Sequence, residues 1–172
     1  MKNLIQSLLL FFLFISFTAS SSIDENEKFL SFLEKEWQWE LAQNPVYATA
    51  MGVKGFETQW PDNSLKGIKL REAHIQDSFV ELKKFDPNSL NKTNQLNLRL
   101  YTQLTQTALS ISEYNRYLFP FNHRGGVQLA HEAVESLPLN TAEDYRFWIE
   151  RLKNLDKRIE RTISVARLGL EK

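Results

Sequence analysis

Hydrophobic residues recur at three- and four-residue steps through most of the chain, which is the spacing of an α-helix. The first periodic stretch predicts a helix from about Asn26 to Gln43. Asn44-Pro45 should end it and begin another, because asparagine caps helices well and proline fits the first helical turn. This second helix, Pro45 to Met51, is short and is expected to close at Gly52 in a left-handed C-cap.

The next stretch, residues 53–63 (VKGFETQWPDN), has no helical period and is predicted to be a loop. Its Phe56 and Trp60 are expected to pack back onto the helices. Ser64 should cap a longer helix that reaches Phe85. Asp86-Pro87-Asn88 should then end this helix, because proline cannot continue a helix.

Another long helix is expected from Thr93, which should act as its cap. Its periodic positions are Leu96, Leu100, Leu104, Ala108 and Ile111. Residues 119–126 (FPFNHRGG) predict an irregular crossing that a helix would not tolerate. A short helix from Gln128 to Leu137 should follow and stop at Pro138.

The last helix should open at Thr141–Asp144, which resembles a capping box with aspartate in place of the usual Glu or Gln. Its predicted buried side consists of Tyr145, Trp148, Leu152, Leu155, Ile159 and Ile163. The period still runs at Leu168 and Leu170, which leads us to expect that the domain is cut short at its C-terminus. Since no segment alternates as a strand would, we predict an all-α protein of antiparallel long helices joined by short helices.

The first 22 residues have the order of a secretory signal peptide. A basic start precedes the apolar run Leu4 to Phe17, and small residues follow it, with Thr18 and Ser20 suited to the positions before cleavage. Residues 23–172 would then form one helical domain, exported to the periplasm or beyond, with no membrane attachment after cleavage. An uncleaved N-terminal anchor is the alternative, although the run is short for a membrane-spanning helix.

Composition narrows the possible partners. Lys and Arg total 21, as do Asp and Glu, so the chain has no basic field for nucleic acid. It contains no cysteine, so no disulfide holds the fold.

One stretch, AHEAVES, comes close to the zinc-binding pattern H-E-x-x-H. His131 and Glu135 stand four residues apart, as two ligands on one helix face would. The competing interpretation is an amphipathic surface turn, and we favour it, because only His74 and His123 remain as other imidazole donors. The predicted buried face of this turn is Val127, Ala130, Val134 and Leu137. We therefore assign no catalytic, cofactor-binding or metal-binding residue.

The best polar cluster for contacting a ligand is Asn122, His123 and Arg124, which stand beside two glycines in the irregular crossing. Turn chemistry alone can also explain such residues. No serine lies in a G-x-S-x-G pattern, and no acid–base partner for a serine can be named.

The order of motifs over residues 26–172 resembles the N-terminal portion of exported bacterial proteins known as domain of unknown function family 885. The matching stretches are FLSFLEKEWQWELAQ, NPVYATAMGV, QWPDNS, FDPNSL, YLFPFNHRGGV and LNTAEDYRFWIERLKNLDKRIERTI. The resemblance implies a longer, zinc-metallopeptidase-like protein whose metal-binding helix lies beyond the region that matches this chain.

Two functions follow as expectations. The chain is either an N-terminal helical fragment of an exported zinc-metallopeptidase-like protein, or a non-catalytic periplasmic helical module that binds a partner. In the first case, it walls one side of a cleft for a peptide substrate, and zinc belongs only to the full-length protein. In both cases, the 172-residue chain by itself is expected to be inactive.

Overall fold

The computed structural model describes residues 24–123 and 125–171 of the 172-residue chain. These residues form α-helices and short 3-10 helices, and they contain no strand apart from an isolated bridge between Asn122 and Gly125. The predicted all-α class is therefore confirmed. The predicted signal peptide, residues 1–22, lies outside the described residues.

The helices within the described ranges are bounded as follows. The α-helices are α1 (Glu25–Gln43), α2 (Pro45–Ala50), α3 (Leu65–Leu82), α4 (Lys92–Ser112), α5 (Ala133–Ser136), α6 (Ala142–Lys153) and α7 (Leu155–Leu170). The 3-10 helices are Pro87–Ser89, Arg116–Leu118 and Val127–Glu132. None of the helices in this part of the chain has the length and apolar character needed to cross a bilayer.

Local capping chemistry sets several of these bounds as predicted. The Ser64 hydroxyl accepts a hydrogen bond from the Gly67 amide at 3.1 Å. Thr141 and Asp144 form a complete capping box at the start of α6. After α2, Gly52 has φ +79°, which is the left-handed conformation that favours glycine.

The start of α4 differs from the prediction. Asn91, not Thr93, is the cap, and its side-chain oxygen accepts from the Asn94 amide at 2.9 Å. Both residue types can cap, but asparagine is the better one. The Asn91 amide also donates to the Asn26 side chain at 2.9 Å, so a contact with α1 helps to fix this position.

The predicted final helix is two helices. It breaks at Asn154, whose φ −96° and ψ 7° leave helical geometry, and α7 starts at the next residue. The predicted short helix over residues 128–137 also divides, into the 3-10 helix Val127–Glu132 and the single turn α5.

Helices α1, α3 and α4 pack into a three-helix unit. Phe29 near the start of α1 contacts Phe85 after the end of α3, and Trp39 further along α1 stacks on His74 of α3, so these helices run antiparallel. The core consists of Phe29, Leu82, Leu90 and Leu98, with Phe32, Leu33, Phe85 and Tyr101 packed against it. Each fully buried side chain of this size contributes about 1.5–3 kcal/mol to folding.

A second group of contacts places α6 and α7 against the rest of the protein. The indole Nε1 of Trp60 donates to the Arg151 carbonyl at 2.7 Å, and the ring centroids of Trp60 and Trp148 are 6.1 Å apart. Trp60 therefore packs back onto the helices, as predicted. Helix α7 lies against the turn Arg116–Leu118. A Cβ on Gly169 would come 2.6 Å from the Leu118 carbonyl oxygen, so glycine permits this close approach.

The predicted buried side of the last helix is wrong for most of its members. The exposed ones are Tyr145, Leu152, Ile159 and Ile163. Arg151, Thr162 and Val165 are buried instead, and Trp148, Leu155 and Arg158 are half-buried. The helices turn this mixed face inward because the Trp60 loop and α2 offer it hydrogen-bond acceptors and an aromatic ring.

Helix α4 presents its periodic leucines to solvent. Leu96, Leu100 and Leu104 are 48%, 53% and 65% exposed. Leu98 and Thr105 on the neighbouring face are buried against α1 and α3. An apolar face of α4 therefore has no covering among the described residues.

Candidate functional site

The predicted polar loop lies on the surface. Asn122 and His123 are both exposed and border a groove of about 720 Å³. The Asn122 amide donates to the Gly125 carbonyl at 3.0 Å, and the Gln128 side chain donates to the Asn122 carbonyl at 2.8 Å. The turn is thus held by its own backbone and by the Gln128 side chain. Arg124 lies outside the described residues.

The AHEAVES segment is an amphipathic turn. His131 lies in a 3-10 helix and Glu135 in α5. The pair therefore spans the junction between a 3-10 helix and a single α-helical turn, not one face of a continuous α-helix. Both side chains are exposed, and His131 Nδ1 lies 3.2 Å from the Gln128 carbonyl oxygen. Across residues 24–123 and 125–171, no group of three or more His, Asp or Glu residues could hold a metal ion.

The most organised polar site was not predicted, and we call it the Glu36 cluster: Glu36, His74, Ser78 and Tyr101. The carboxylate oxygen Oε2 of Glu36 accepts from Tyr101 Oη at 2.7 Å and from Ser78 Oγ at 2.8 Å. The Nε2 atom of His74 lies 3.1 Å from the same oxygen. Helices α1, α3 and α4 each contribute to this site.

Helical spacing explains how the donors converge. His74 and Ser78 are four residues apart on α3 and therefore project from one face, towards α1. The Glu36 side chain is only 12% exposed, so its charge needs several donors to remain stable there. Burial, together with the adjacent Glu36 carboxylate, raises the pKa of Tyr101 well above its usual range, so the phenol stays protonated and donates.

The ring of His74 is held in one plane. It stacks on the Trp39 indole with ring centroids 3.7 Å apart and an angle of 6° between the planes. This stacking fixes which edge of the imidazole faces Glu36, and it leaves the cluster with little rotational freedom.

The cluster lies where two grooves meet. A groove of about 630 Å³ runs between α1 and α3, and another of about 220 Å³ is bounded by α1, α3 and α4. Glu36, His74 and Ser78 line both grooves. The second carboxylate oxygen of Glu36, Oε1, has no hydrogen-bond partner among the described residues. It is also not completely buried. This oxygen therefore keeps some solvent access, on a side chain that lines both grooves.

This geometry favours binding over nucleophilic catalysis. A serine nucleophile needs a base that accepts its proton, commonly a histidine held by a third group. Here Ser78 and His74 both face Glu36 rather than each other. The arrangement instead orients a carboxylate, and a carboxylate with one free oxygen accepts hydrogen bonds from a cation or another donor.

A second polar feature that the sequence did not reveal is Arg151, which is 0% exposed. Its Nη2 donates to Thr49 Oγ1 and to the Phe56 carbonyl, each at 2.7 Å. Its guanidinium carbon lies 5.8 Å from the Trp60 ring centre. Burial lowers the pKa of Arg151 to about 10, which still leaves it charged at neutral pH. Arg151 ties α6 to α2 and the loop.

Sequence reasoning missed both features for one reason. Glu36 stands in the acidic stretch EKE, which is typical of a solvated helix face, and Arg151 stands in a helix rich in charges. The sequence contains one weak indication of the cluster. His74 and Ser78 are polar residues four positions apart in α3, next to its apolar positions.

The chain matches a known protein family. The model of the family described as bacterial protein of unknown function (DUF885) matches residues 45–172. This range contains His74, Ser78 and Tyr101 and begins after α1, which carries Glu36. No curated protein matches the chain. The sequence match covers most of the chain, and the chain belongs to domain of unknown function family 885.

Proposed function

We propose that this chain forms a helical wall of an exported, zinc-metallopeptidase-like protein and holds no catalytic metal itself. In this role, the apolar faces of α4, α6 and α7 pack against a separate catalytic part. That part supplies the zinc helix, and together with these helices it borders a peptide-binding cleft.

The outward face of α4 carries this proposal. Between Thr93 and Ser112 the single charged residue is Arg99, and the exposed leucines recur every four residues. A surface helix with so few charges and a continuous apolar stripe is typical of a face that packs against further protein. The exposed stripe on α6 and α7, from Tyr145 to Ile163, adds a second such face.

Sequencing the coding region beyond Lys172 tests the role as a wall. We expect a continued reading frame that encodes an H-E-x-x-H helix. A separately encoded partner with that motif, recovered bound to this chain, would support the same role. The proposal would be contradicted if the purified chain bound no such part and its α4 face remained exposed to solvent.

Export is the second element of the proposal and rests on the order of basic, apolar and small residues in the first 22 positions. N-terminal sequencing of the protein recovered outside the cytoplasm should begin near Ser20 to Ser22. A retained Met1 in the membrane fraction would instead show an anchor.

A non-catalytic binding module is the second candidate, and the Glu36 cluster favours it. A carboxylate fixed by three donors at the junction of two grooves is a feature of ligand recognition that needs no catalytic partner. If the chain functions alone, a ligand should bind at these grooves with no peptide cleavage.

A further inference from the structure

The groove between α1 and α3, which we call the α1/α3 groove, carries more negative than positive charge. Five carboxylates and three lysines line it. Two of the lysines, Lys28 and Lys84, are already paired with glutamates three residues away, which leaves three carboxylates against one lysine. Glu27 and Asp77 are exposed and form no ion pair with another described residue. The groove therefore favours a cationic occupant.

Glu36 gives the groove a preorganised acceptor. Three donors hold its Oε2, and this fixes the direction of the free Oε1 before any ligand arrives. A carboxylate fixed in this way loses little side-chain entropy on binding. Ammonium and guanidinium groups offer three and five N–H donors, and their hydrogen bonds to carboxylates are stronger than those between neutral groups.

The floor of the groove is aromatic. Phe32 and Phe85 line it, with ring centroids 5.6 Å apart, and both are half-buried. The aliphatic stem of a lysine or arginine packs well on such a surface while its charged end reaches a polar group. The volume of about 630 Å³ is in the range of small-ligand sites and accommodates a few residues.

We propose that the α1/α3 groove binds a short basic peptide segment, with one arginine or lysine side chain received by the free oxygen of Glu36. The stem of that side chain lies on Phe32 and Phe85, and the acidic rim attracts the remaining positive charge. This proposal goes beyond the role as a helical wall, because it assigns a ligand to a groove on a different face from the α4 stripe.

Two matched peptides test the proposal. One is a labelled five-residue peptide with a central arginine between leucines, and the other replaces the arginine with citrulline, which is neutral and nearly the same shape. Fluorescence anisotropy with the full 172-residue chain in a mild non-ionic detergent should show the arginine peptide binding at least about tenfold more tightly, since charge-assisted hydrogen bonds carry the recognition. Equal affinity for the two peptides would overturn the proposal.

Three variants locate the effect. Glu36→Gln keeps the size of the side chain and removes its charge, so the preference for arginine should disappear. Tyr101→Phe removes one donor and leaves the carboxylate, so most of the preference should persist. Glu132→Gln, an exposed carboxylate on the AHEAVES turn, is the matched control and should bind as the unaltered chain does.

The same variants separate recognition from a purely structural role of Glu36. If Glu36 only holds the helices together, Glu36→Gln and Tyr101→Phe will both lower thermal stability and leave the preference for arginine unchanged. That result would overturn the proposal. Should Glu36→Gln lose its helical circular dichroism, Asp77→Asn on the rim replaces it, with an expected loss of about two- to threefold in affinity for the arginine peptide. An unchanged affinity would count against the proposal.

Discussion

At the scale of single residues, Arg151 shows how a charge can be kept inside a protein with no carboxylate in ion-pair contact among the described residues. Its contacts are neutral: a hydroxyl, a backbone carbonyl and the face of an indole ring. Nε and Nη1 have no hydrogen-bond partner among the described residues. Such burial costs free energy, and it is tolerated because the two strong hydrogen bonds satisfy acceptors that would otherwise be stranded.

Replacing this residue should destabilise the fold. Arg151→Ala leaves Thr49 Oγ1 and the Phe56 carbonyl without their donor and opens a cavity, so we expect a loss of about 2–4 kcal/mol in the free energy of unfolding. Arg151→Met, which fills the space without donating, should lose about half as much. Urea denaturation followed by circular dichroism measures both.

The control for this prediction is Arg146→Ala on the same helix, since Arg146 is exposed. It should change the free energy of unfolding by no more than about 0.5 kcal/mol. A stability of Arg151→Met equal to that of the unaltered chain would show that the guanidinium hydrogen bonds contribute nothing.

At the scale of elements, the leucine spacing predicts α4 correctly as a helix but does not indicate which of its faces is buried. The leucines at four-residue steps predict the helix, but the buried face is a neighbouring one that contains Asn94, Leu98 and Thr105. Periodicity reports that a helix has an apolar face. Which side is covered by other parts of the chain depends on where α1 and α3 arrive, and residue spacing within α4 carries no information on that.

The two faces of α4 should respond differently to a polar residue. We expect the isolated chain to self-associate through the exposed stripe of α4. Leu100→Gln changes an exposed position in that stripe, so it should reduce self-association and alter the free energy of unfolding by about 0.5 kcal/mol or less. Leu98 is 5% exposed, so Leu98→Gln should cost about 3 kcal/mol or more by burying an amide and losing core packing.

Sedimentation velocity and urea denaturation measure the two properties separately. If Leu100→Gln destabilises the chain as strongly as Leu98→Gln does, the outward face of α4 is not free in solution. Unchanged association of Leu100→Gln would mean that another surface drives it.

At the scale of the whole molecule, few apolar side chains are buried for the length of chain described. Among the described residues, nine hydrophobic ones are buried and twenty large ones are exposed, many of them in the stripes of α4, α6 and α7. Isolated exposed leucines are ordinary, but contiguous stripes are not. Such uncovered stripes are what the proposed role requires, since in that role they pack against another part of the protein.

The role as a wall also predicts the behaviour of the chain towards zinc. The purified chain should hold no stoichiometric zinc and cleave no peptides, because a hydrolytic site needs ligands, an open coordination position and a positioned base. Elemental analysis and a peptide-cleavage assay measure these properties.

The paired variant is His131→Ala. Since His131 is exposed, this change should leave the metal content unaltered and cost about 0.5 kcal/mol or less in stability. One zinc per chain, lost on replacing His131, would reverse both the assignment of AHEAVES as a surface turn and the proposed non-catalytic role.

The sequence by itself determined the features that depend on neighbouring residues. The helical class, the break at Asn44-Pro45, the left-handed Gly52 and the capping box at Thr141 all arise from interactions within about four residues, which a linear pattern contains. The proline accounts for the break at Asn44-Pro45, since the Asn44 side chain forms no capping hydrogen bond. The break at Asn154 was missed because the apolar period continues through it, and no glycine or proline marks it.

Tertiary structure decided which faces are covered and which polar groups meet. Glu36 is 38 residues from His74 and 65 from Tyr101, and Arg151 is 102 residues from Thr49. Each of these residues has an ordinary helical context in the sequence, with nothing local to mark it as buried. Their burial and their partners follow from how separate helices approach one another, because a buried charge is stable only where distant donors or acceptors arrive to satisfy it.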